Sequence, residues 1–244
     1  MLDVVLWKWR SNNYRSRFTA HHVNVAARMI WRNYDNPVRV NCITDDGDGI
    51  DKRVRVIPLW DEFKHIRNPS FSSGPSCYRR LKAYSPEFAQ IVGPRFVSMD
   101  LDLVICGDMT PVWDRDEDFV IWGDVLLQQK PGVPAYNGSM WMMTAGARRQ
   151  VWDRFDPLFS PCKAHENGCK GSDQGWVTYV LGKGEKMWTT ADGVYSYRMH
   201  LKKNQLIVPP DGAKVVFFHG IAWDDPNGPG SAVRDLKFVK DNYN

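Results

Sequence analysis

The sequence predicts an α/β fold, a mixed and mostly parallel sheet flanked by helices. Three observations carry that reading. Short apolar runs alternate with a helical pattern near the amino end. Clusters of Asp, Asn and Gly close those runs. A long apolar run, residues 95–105, is interrupted by two acids, Asp100 and Asp102. A chain of 244 residues with 43% hydrophobic and 25% charged residues is large enough to bury a substantial interior, and it fits one domain over residues 1–244.

Residues 4–7 form a first apolar strand that runs into the polar stretch 8–13, and the carboxyl end of such a strand is where open α/β sheets place ligand contacts. Residues 18–34 carry Val23, Ala26, Ala27, Ile30 and Trp31 at three- and four-residue spacings, which predicts a helix, and Asp35-Asn36-Pro37 breaks it. Residues 38–44 and 54–59 read as strands separated by the turn Asp45-Asp46-Gly47-Asp48-Gly49. This strand, helix, strand order favours parallel pairing with a right-handed crossover. Residues 68–75, rich in Ser, Gly and Pro, predict a loop, and residues 76–84 a basic helix leading to the acid-bearing strand. Beyond it, a turn at Thr110-Pro111-Val112-Trp113 leads to strands over 119–122 and 136–143, with a loop over 128–135 between them. A helix over 147–155, an irregular insert over 160–171, a helix over 176–181 with Ser172 as N-cap, and a last strand over 214–218 complete the order.

The formal net charge of +4 is a mild excess that suits an anionic ligand, and no basic run or motif of a nucleic-acid-binding module accompanies it. No apolar run approaches a membrane span, and the start, with Asp3 among few apolar residues, reads as neither a signal peptide nor an anchor. Five cysteines without regular spacing predict reduced thiols and hence a cytoplasmic protein. Cys162, His165 and Cys169 form a C-x2-H-x3-C string that lacks a fourth ligand for structural zinc. Of the eleven tryptophans, Trp7, Trp9, Trp60, Trp113, Trp122 and Trp141 are candidates for core and in part for a groove, since sugars and bases both stack on aromatic faces.

The acid pair is the chemical centre of the sequence. In extended geometry residues i and i+2 share a side of the strand about 7 Å apart, so Asp100 and Asp102 face one cation while Met99, Leu101 and Leu103 pack the other way. Carboxylates in an apolar run are costly to bury unless a cation compensates them. Hard oxygen ligands suit Mg²⁺ or Mn²⁺, above all where a diphosphate completes the shell. The plainer alternative is a pair of strand-end acids engaged in caps or salt bridges.

Five motifs follow one another across nearly the whole chain: Tyr78-Arg79-Arg80-Leu81-Lys82, Met99-Asp100-Leu101-Asp102, Tyr136-Asn137-Gly138-Ser139, Ser172-Asp173-Gln174 and Phe218-His219-Gly220. In this order they resemble the GT-A-type glycosyltransferases, nearest in pattern to the glycogenin and bacterial lipooligosaccharide galactosyltransferase family (family 8-like), whose look is shared by small bacterial and bacteriophage proteins. The resemblance implies a Rossmann-like GT-A domain with a nucleotide-binding half over 1–105 and an acceptor-side half over 106–244. It implies transfer of a sugar from a nucleotide-diphosphate sugar, a UDP-sugar by family habit, to an acceptor hydroxyl.

The residue roles follow from the same resemblance. Asp100, Asp102 and His219 are the implied metal ligands, with Mn²⁺ favoured over Mg²⁺ because an imidazole softens the site. Trp7, Asp45, Arg80, Asp100 and Asn137 are implied donor contacts, Arg80 through a guanidinium fork that suits phosphate oxygens. Asp173 and Gln174, with Arg80, stand where retaining members keep an acid beside the anomeric carbon, which implies retention of configuration. Each has a plainer alternative: a satisfied strand-end histidine for His219, a solvated helix face for Arg80, turn chemistry for Asp45, an Asx-turn for Asn137. For Asp173 it is a first-turn charge worth only about 0.3–1 kcal/mol. One departure stands out, because Ile221-Ala222-Trp223-Asp224 replaces the family's Lys-Pro-Trp, so no phosphate-binding lysine is evident there. The acceptor is either a glycan or a hydroxylated base in phage DNA, which Arg10, Arg15, Arg17, Arg28 and Arg32 permit. A haloacid-dehalogenase-type phosphatase also uses D-x-D, but near the chain start and with a hydroxyl residue where Val104 stands here. A catalytically inactive sugar-nucleotide-binding protein of the same fold is the other reading.

Overall fold

A computed structural model describes residues 1–10, 17–70, 76–123, 133–134 and 136–244; most of the expected loops over 68–75 and 128–135, part of the stretch 8–13, and Arg15 lie outside them. The strands are β1 (Leu2–Lys8), β2 (Val38–Thr44), β3 (Arg55–Pro58), β4 (Arg95–Met99), β5 (Leu103–Ile105), β6 (Phe119–Trp122), β7 (Asn137–Thr144), β8 (Lys186–Trp188), β9 (Val194–Ser196) and β10 (Val215–Phe217). A large sheet has the order β3-β2-β1-β4-β7-β6-β8, and a small one the order β5-β10-β9. In the large sheet β1 runs parallel to β2 and β4, β2 to β3, and β6 to β8, while β7 runs antiparallel to β4 and β6. The fold is the mixed, mostly parallel α/β arrangement expected from the sequence.

Period-two alternation builds a core on each face of the large sheet. Val4 and Leu6 of β1, Val97 and Met99 of β4, and Met140 and Met142 of β7 pack with helix Ala20–Asn33 and the small sheet. Val5 and Trp7, Phe96, and Trp141 and Met143 pack on the opposite face with Tyr78, Leu81 and Tyr84. Each large apolar side chain so buried contributes about 1.5–3 kcal/mol. The central strand also buries Asp3, which accepts from Arg39 Nε at 2.6 Å and Asn41 Nδ2 at 2.8 Å, so this charge is paired rather than orphaned. Helix Ala20–Asn33 opens on Thr19, whose Oγ1 accepts from the His21 amide, and ends before the Asp35-Asn36-Pro37 breaker.

Several expectations are corrected. The acid-bearing run is not one strand: β4 ends at Met99, β5 begins at Leu103, and the chain crosses from the large sheet to the small one through Asp100, Leu101 and Asp102. Two carboxylates in the middle of a buried sheet would be stranded, so the chain bends where they occur. Tyr78–Tyr84 is a 3₁₀ helix, and its Arg79 and Arg80 are only 6% and 5% exposed, so this is not a solvated basic face. The insert over 160–171 contains helix Ser160–Glu166, and the tail closes on helix Lys237–Asn242. Strands β8 and β9 escape the sequence reading because three residues are too few for a periodic signal. All five cysteines are free thiols, and no helix among the described residues is long and apolar enough to cross a membrane.

Candidate functional site

The crossing between β4 and β5 is anchored on both sides. The Asp100 amide donates to the Ser139 carbonyl at 2.9 Å, and the Asp102 carbonyl accepts from the Phe218 amide at 2.8 Å. Leu101 is buried between them, which leaves the two acids half-buried at the carboxyl end of the central strands. Arg80 reaches this point from its 3₁₀ helix, held there because Tyr78, Leu81 and Tyr84 of the same segment lock into the core. Its Nη1 donates to Asp100 Oδ1 at 2.5 Å, while Nε and Nη2 both reach Asp173 Oδ2 at 2.7 Å. One guanidinium thus bridges two of the predicted acids.

Asp173 opens helix Asp173–Leu181, and its Oδ1 accepts from Ser172 Oγ at 3.2 Å. Ser172 does not cap the helix with its side chain; its Oγ accepts instead from the Cys77 amide at 2.9 Å, tying the two helices that carry Arg80 and Asp173. Burial raises the Asp173 carboxyl above its ordinary range, and Arg80 pulls it back only in part. Burial opposes the charge on Arg80 too, but Asp173 and Asp100 outweigh it and hold the guanidinium protonated.

Gly138 explains the Asn-Gly-Ser motif. A Cβ there would stand 2.8 Å from Arg80 Nη2 and 3.4 Å from Gln174 Cβ, so only glycine admits the guanidinium. Gln174 Oε1 accepts from the Gly138 amide at 3.2 Å. Asn137 Oδ1 accepts from the Ser139 amide at 2.8 Å, the Asx-turn bond that the sequence offered as its plainer role.

His219 lies beside the acids, not across the molecule from them. β10 pairs antiparallel with β5, Phe217 facing Leu103, so the chain leaving β10 passes the Asp100–Asp102 crossing. The imidazole packs edge-on to Trp122 with centroids 5.4 Å apart, and its Nε2 lies 2.7 Å from Ser196 Oγ. Burial first, then the nearby Arg198 charge, lower its pKa to about 4, so the ring is neutral at pH 7 and able to act as a ligand.

The acids and the imidazole suit a divalent cation in chemistry and in charge. Asp102 Oδ1 is buried with no hydrogen-bond partner among the described residues. Burial and the Asp100 charge push the Asp102 carboxyl well above its ordinary range. Among the described residues, no three His, Cys, Asp or Glu side chains already converge on one point. Asp100 is engaged by Arg80 and His219 by Ser196, and Cys162, His165 and Cys169 form no such group either.

Trp7 is buried at the end of β1, its Nε1 donating to Ser98 Oγ at 2.8 Å, with Trp9 and Trp60 edge-on to it. Asp45 is exposed and accepts from the Arg10 amide at 3.0 Å. Between them lies Lys8, 4% exposed, whose Nζ donates to Thr44 Oγ1 at 3.2 Å and to the Asp46 carbonyl at 2.5 Å. Sequence reading passed over Lys8, although a lysine closing an apolar strand is a visible signal. It also passed over Ser196 and Arg198, for which no pattern in the sequence gives a sign.

No protein-family model matches the chain, and no curated protein sequence does. Solved structures do. The galactosyltransferase LgtC, solved in complex with donor and acceptor sugar analogs, superposes with a TM-score of 0.62 at 15% identity, over 98% of this chain and 96% of that one. GlyE, a glycosyltransferase of Streptococcus pneumoniae, matches with a TM-score of 0.55 at 14% identity, over 89% of this chain and 55% of that one. Mouse xyloside xylosyltransferase 1 matches with a TM-score of 0.53 at 12% identity, over 89% and 98%. The chain has the fold of the GT-A-type glycosyltransferases and is similar over nearly its whole length to LgtC.

Proposed function

We propose that the protein is a divalent-metal-dependent glycosyltransferase that moves a sugar from a nucleotide-diphosphate sugar, a UDP-sugar first among them, to an acceptor hydroxyl. The observation that carries this reading is the Arg80 bridge, which gathers Asp100 and Asp173 at the point where the β4–β5 crossing holds the half-buried Asp102 and where His219 arrives from β10. Asp100, Asp102 and His219 are the residues to hold Mn²⁺ or Mg²⁺, and such an ion neutralises charge developing on the leaving diphosphate. Arg80 fixes Asp173 in its buried setting and favours the charged form of its carboxyl against the effect of burial. There the acid and Gln174 border the place for the anomeric carbon and stabilise positive charge that builds on the sugar, which favours retention. Trp7, Asp45 and Asn137 border the nucleoside and sugar parts of the donor site. Residues 1–105 supply the nucleotide side, and residues 106–244 the acceptor side.

The test is a panel of nucleotide sugars, with Mn²⁺ or with chelator, read as release of nucleoside diphosphate. The expected result is metal-dependent release from one donor, absent in Asp102→Asn at unchanged fold. Binding without release from any donor favours the inactive binder of the same fold, and full activity of Asp102→Asn removes the acid pair from the chemistry. For the acceptor, incorporation into hydroxymethylated DNA that salt suppresses identifies the DNA branch, and incorporation into saccharides alone excludes it.

A further inference from the structure

Strands β9 and β10 run parallel with Ser196 facing Phe217, so the segments leaving them travel together past the Asp100–Asp102 crossing. The segment after β9 is a single π-helical turn, Tyr197–Leu201, capped by Ser196 Oγ accepting from the Met199 amide at 3.1 Å. A π-turn is rare and concentrates at functional sites. The same Ser196 hydroxyl contacts His219, so one residue ties the turn to the candidate metal ligand. On this turn sits Arg198, exposed, with neither ion pair nor hydrogen bond among the described residues. Its guanidinium lies over Gly220: a Cβ on that glycine would come within 3.0 Å of Arg198 Nη1, and Gly220 has φ +77°, a conformation glycine adopts at no cost.

The local charge balance gives Arg198 a task. Asp100, Asp102 and Asp173 outnumber Arg80, whose donors are spent on two of those acids. A divalent ion at the acids brings this cluster only to neutrality, while a diphosphate adds several negative charges. Among the described residues, Arg198 offers an uncommitted fork beside His219, and a guanidinium fork matches phosphate oxygens two at a time. We infer that Arg198, carried on the π-turn and seated over Gly220, binds the diphosphate of the nucleotide donor.

This inference rests on the nucleotide-sugar reading above, and the experiment separates the two. Binding of the diphosphates and monophosphates of uridine, cytidine, guanosine, adenosine and thymidine is measured by calorimetry with Mn²⁺, for the wild type, Arg198→Gln and Arg198→Lys. The expected result is that the wild type binds at least one diphosphate. Arg198→Gln then weakens that diphosphate about ten- to hundredfold and its monophosphate less than threefold, and Arg198→Lys restores part of the loss. Equal affinity of Arg198→Gln and wild type for the diphosphate overturns the assignment of Arg198 and leaves the donor reading standing. Equal weakening of diphosphate and monophosphate overturns it as well, because a merely structural role does that. A wild type that binds none of the ten nucleotides overturns both. Thermal melting of the variants within a few degrees of wild type is expected, since the side chain has no partner to lose among the described residues.

Discussion

Replacing Arg80 with Met removes the one cation that bridges Asp173 and Asp100, at a site where Arg80 and Asp173 side chains are 6% and 8% exposed. Breaking a buried pair by deleting one partner costs about 3–5 kcal/mol, because the remaining charge is left without water or counterion. For a chain of this size each kcal/mol lowers Tm by about 2–4 °C, so the variant should melt roughly 6–20 °C below wild type near pH 8. Asp173 has one escape, which is to take up a proton. Burial already raises its carboxyl above the ordinary value of 3.8 with Arg80 pulling against it, and without Arg80 it rises further. The native variant then holds a proton that the unfolded chain has released, so stability falls as pH rises above about 4, and the deficit is larger at pH 8 than at pH 5. Urea unfolding followed by tryptophan fluorescence at both pH values reads this directly. Adding Asp173→Asn to the variant should return part of the loss, since the orphaned charge is then gone. Two results would refute the reasoning: Arg80→Met as stable as wild type at pH 8, or a double variant no better than the single.

Asp102→Asn should behave in the opposite way on stability. Burial and Asp100 raise the Asp102 carboxyl, so a neutral amide of the same shape relieves strain, and a melting point at or above that of wild type at pH 8 with donor turnover reduced about a thousandfold is expected. A variant that loses both stability and turnover would point to a structural acid. Gly138→Ala drives a methyl against Arg80 Nη2 and Gln174, which should lower stability by about 1–2 kcal/mol and turnover by about ten- to hundredfold, measured by melting and initial rates. Unchanged rates would mean that the placement of Arg80 is immaterial. His22 is fully buried, its Nε2 2.9 Å from the Gly228 carbonyl, and burial lowers its pKa from 6.5 to about 4. The unfolded chain binds the proton first, so stability drops by about 3 kcal/mol as pH falls from 6.5 to 4, and His22→Gln should flatten that slope in urea titrations.

What the sequence revealed and what it hid divide along a physical line. The apolar runs Val4-Val5-Leu6-Trp7 and Met140-Trp141-Met142-Met143 are legible as strands because that signal is local, whereas the division of each run between two cores is seen only once the sheet is covered on both faces. The acid pair was legible for a related reason: carboxylates in an apolar run announce an unmet electrostatic need. Its geometry was not legible, because the same need that flags the pair also breaks the strand, and a break at Asp100 depends on the Ser139 and Phe218 backbones that receive the two ends. The resemblance alone singles out Arg80 from Arg79 and Lys82; tertiary contact supplies the physical difference, since Arg79 turns away to donate to the Trp60 carbonyl and Lys82 pairs with Glu62. Ser196 and Arg198 carry no local signal at all, since a serine before a tyrosine and an arginine is ordinary sequence. They enter the site because β9 pairs with β10, a contact between strands three residues long whose stability comes from burial on both faces rather than from propensity. The residues that sequence analysis finds are therefore those whose own chemistry is out of place in their surroundings. Those it misses are ordinary residues brought by the fold to an extraordinary place, and at this site they border His219, the predicted ligand farthest in sequence from the acid pair.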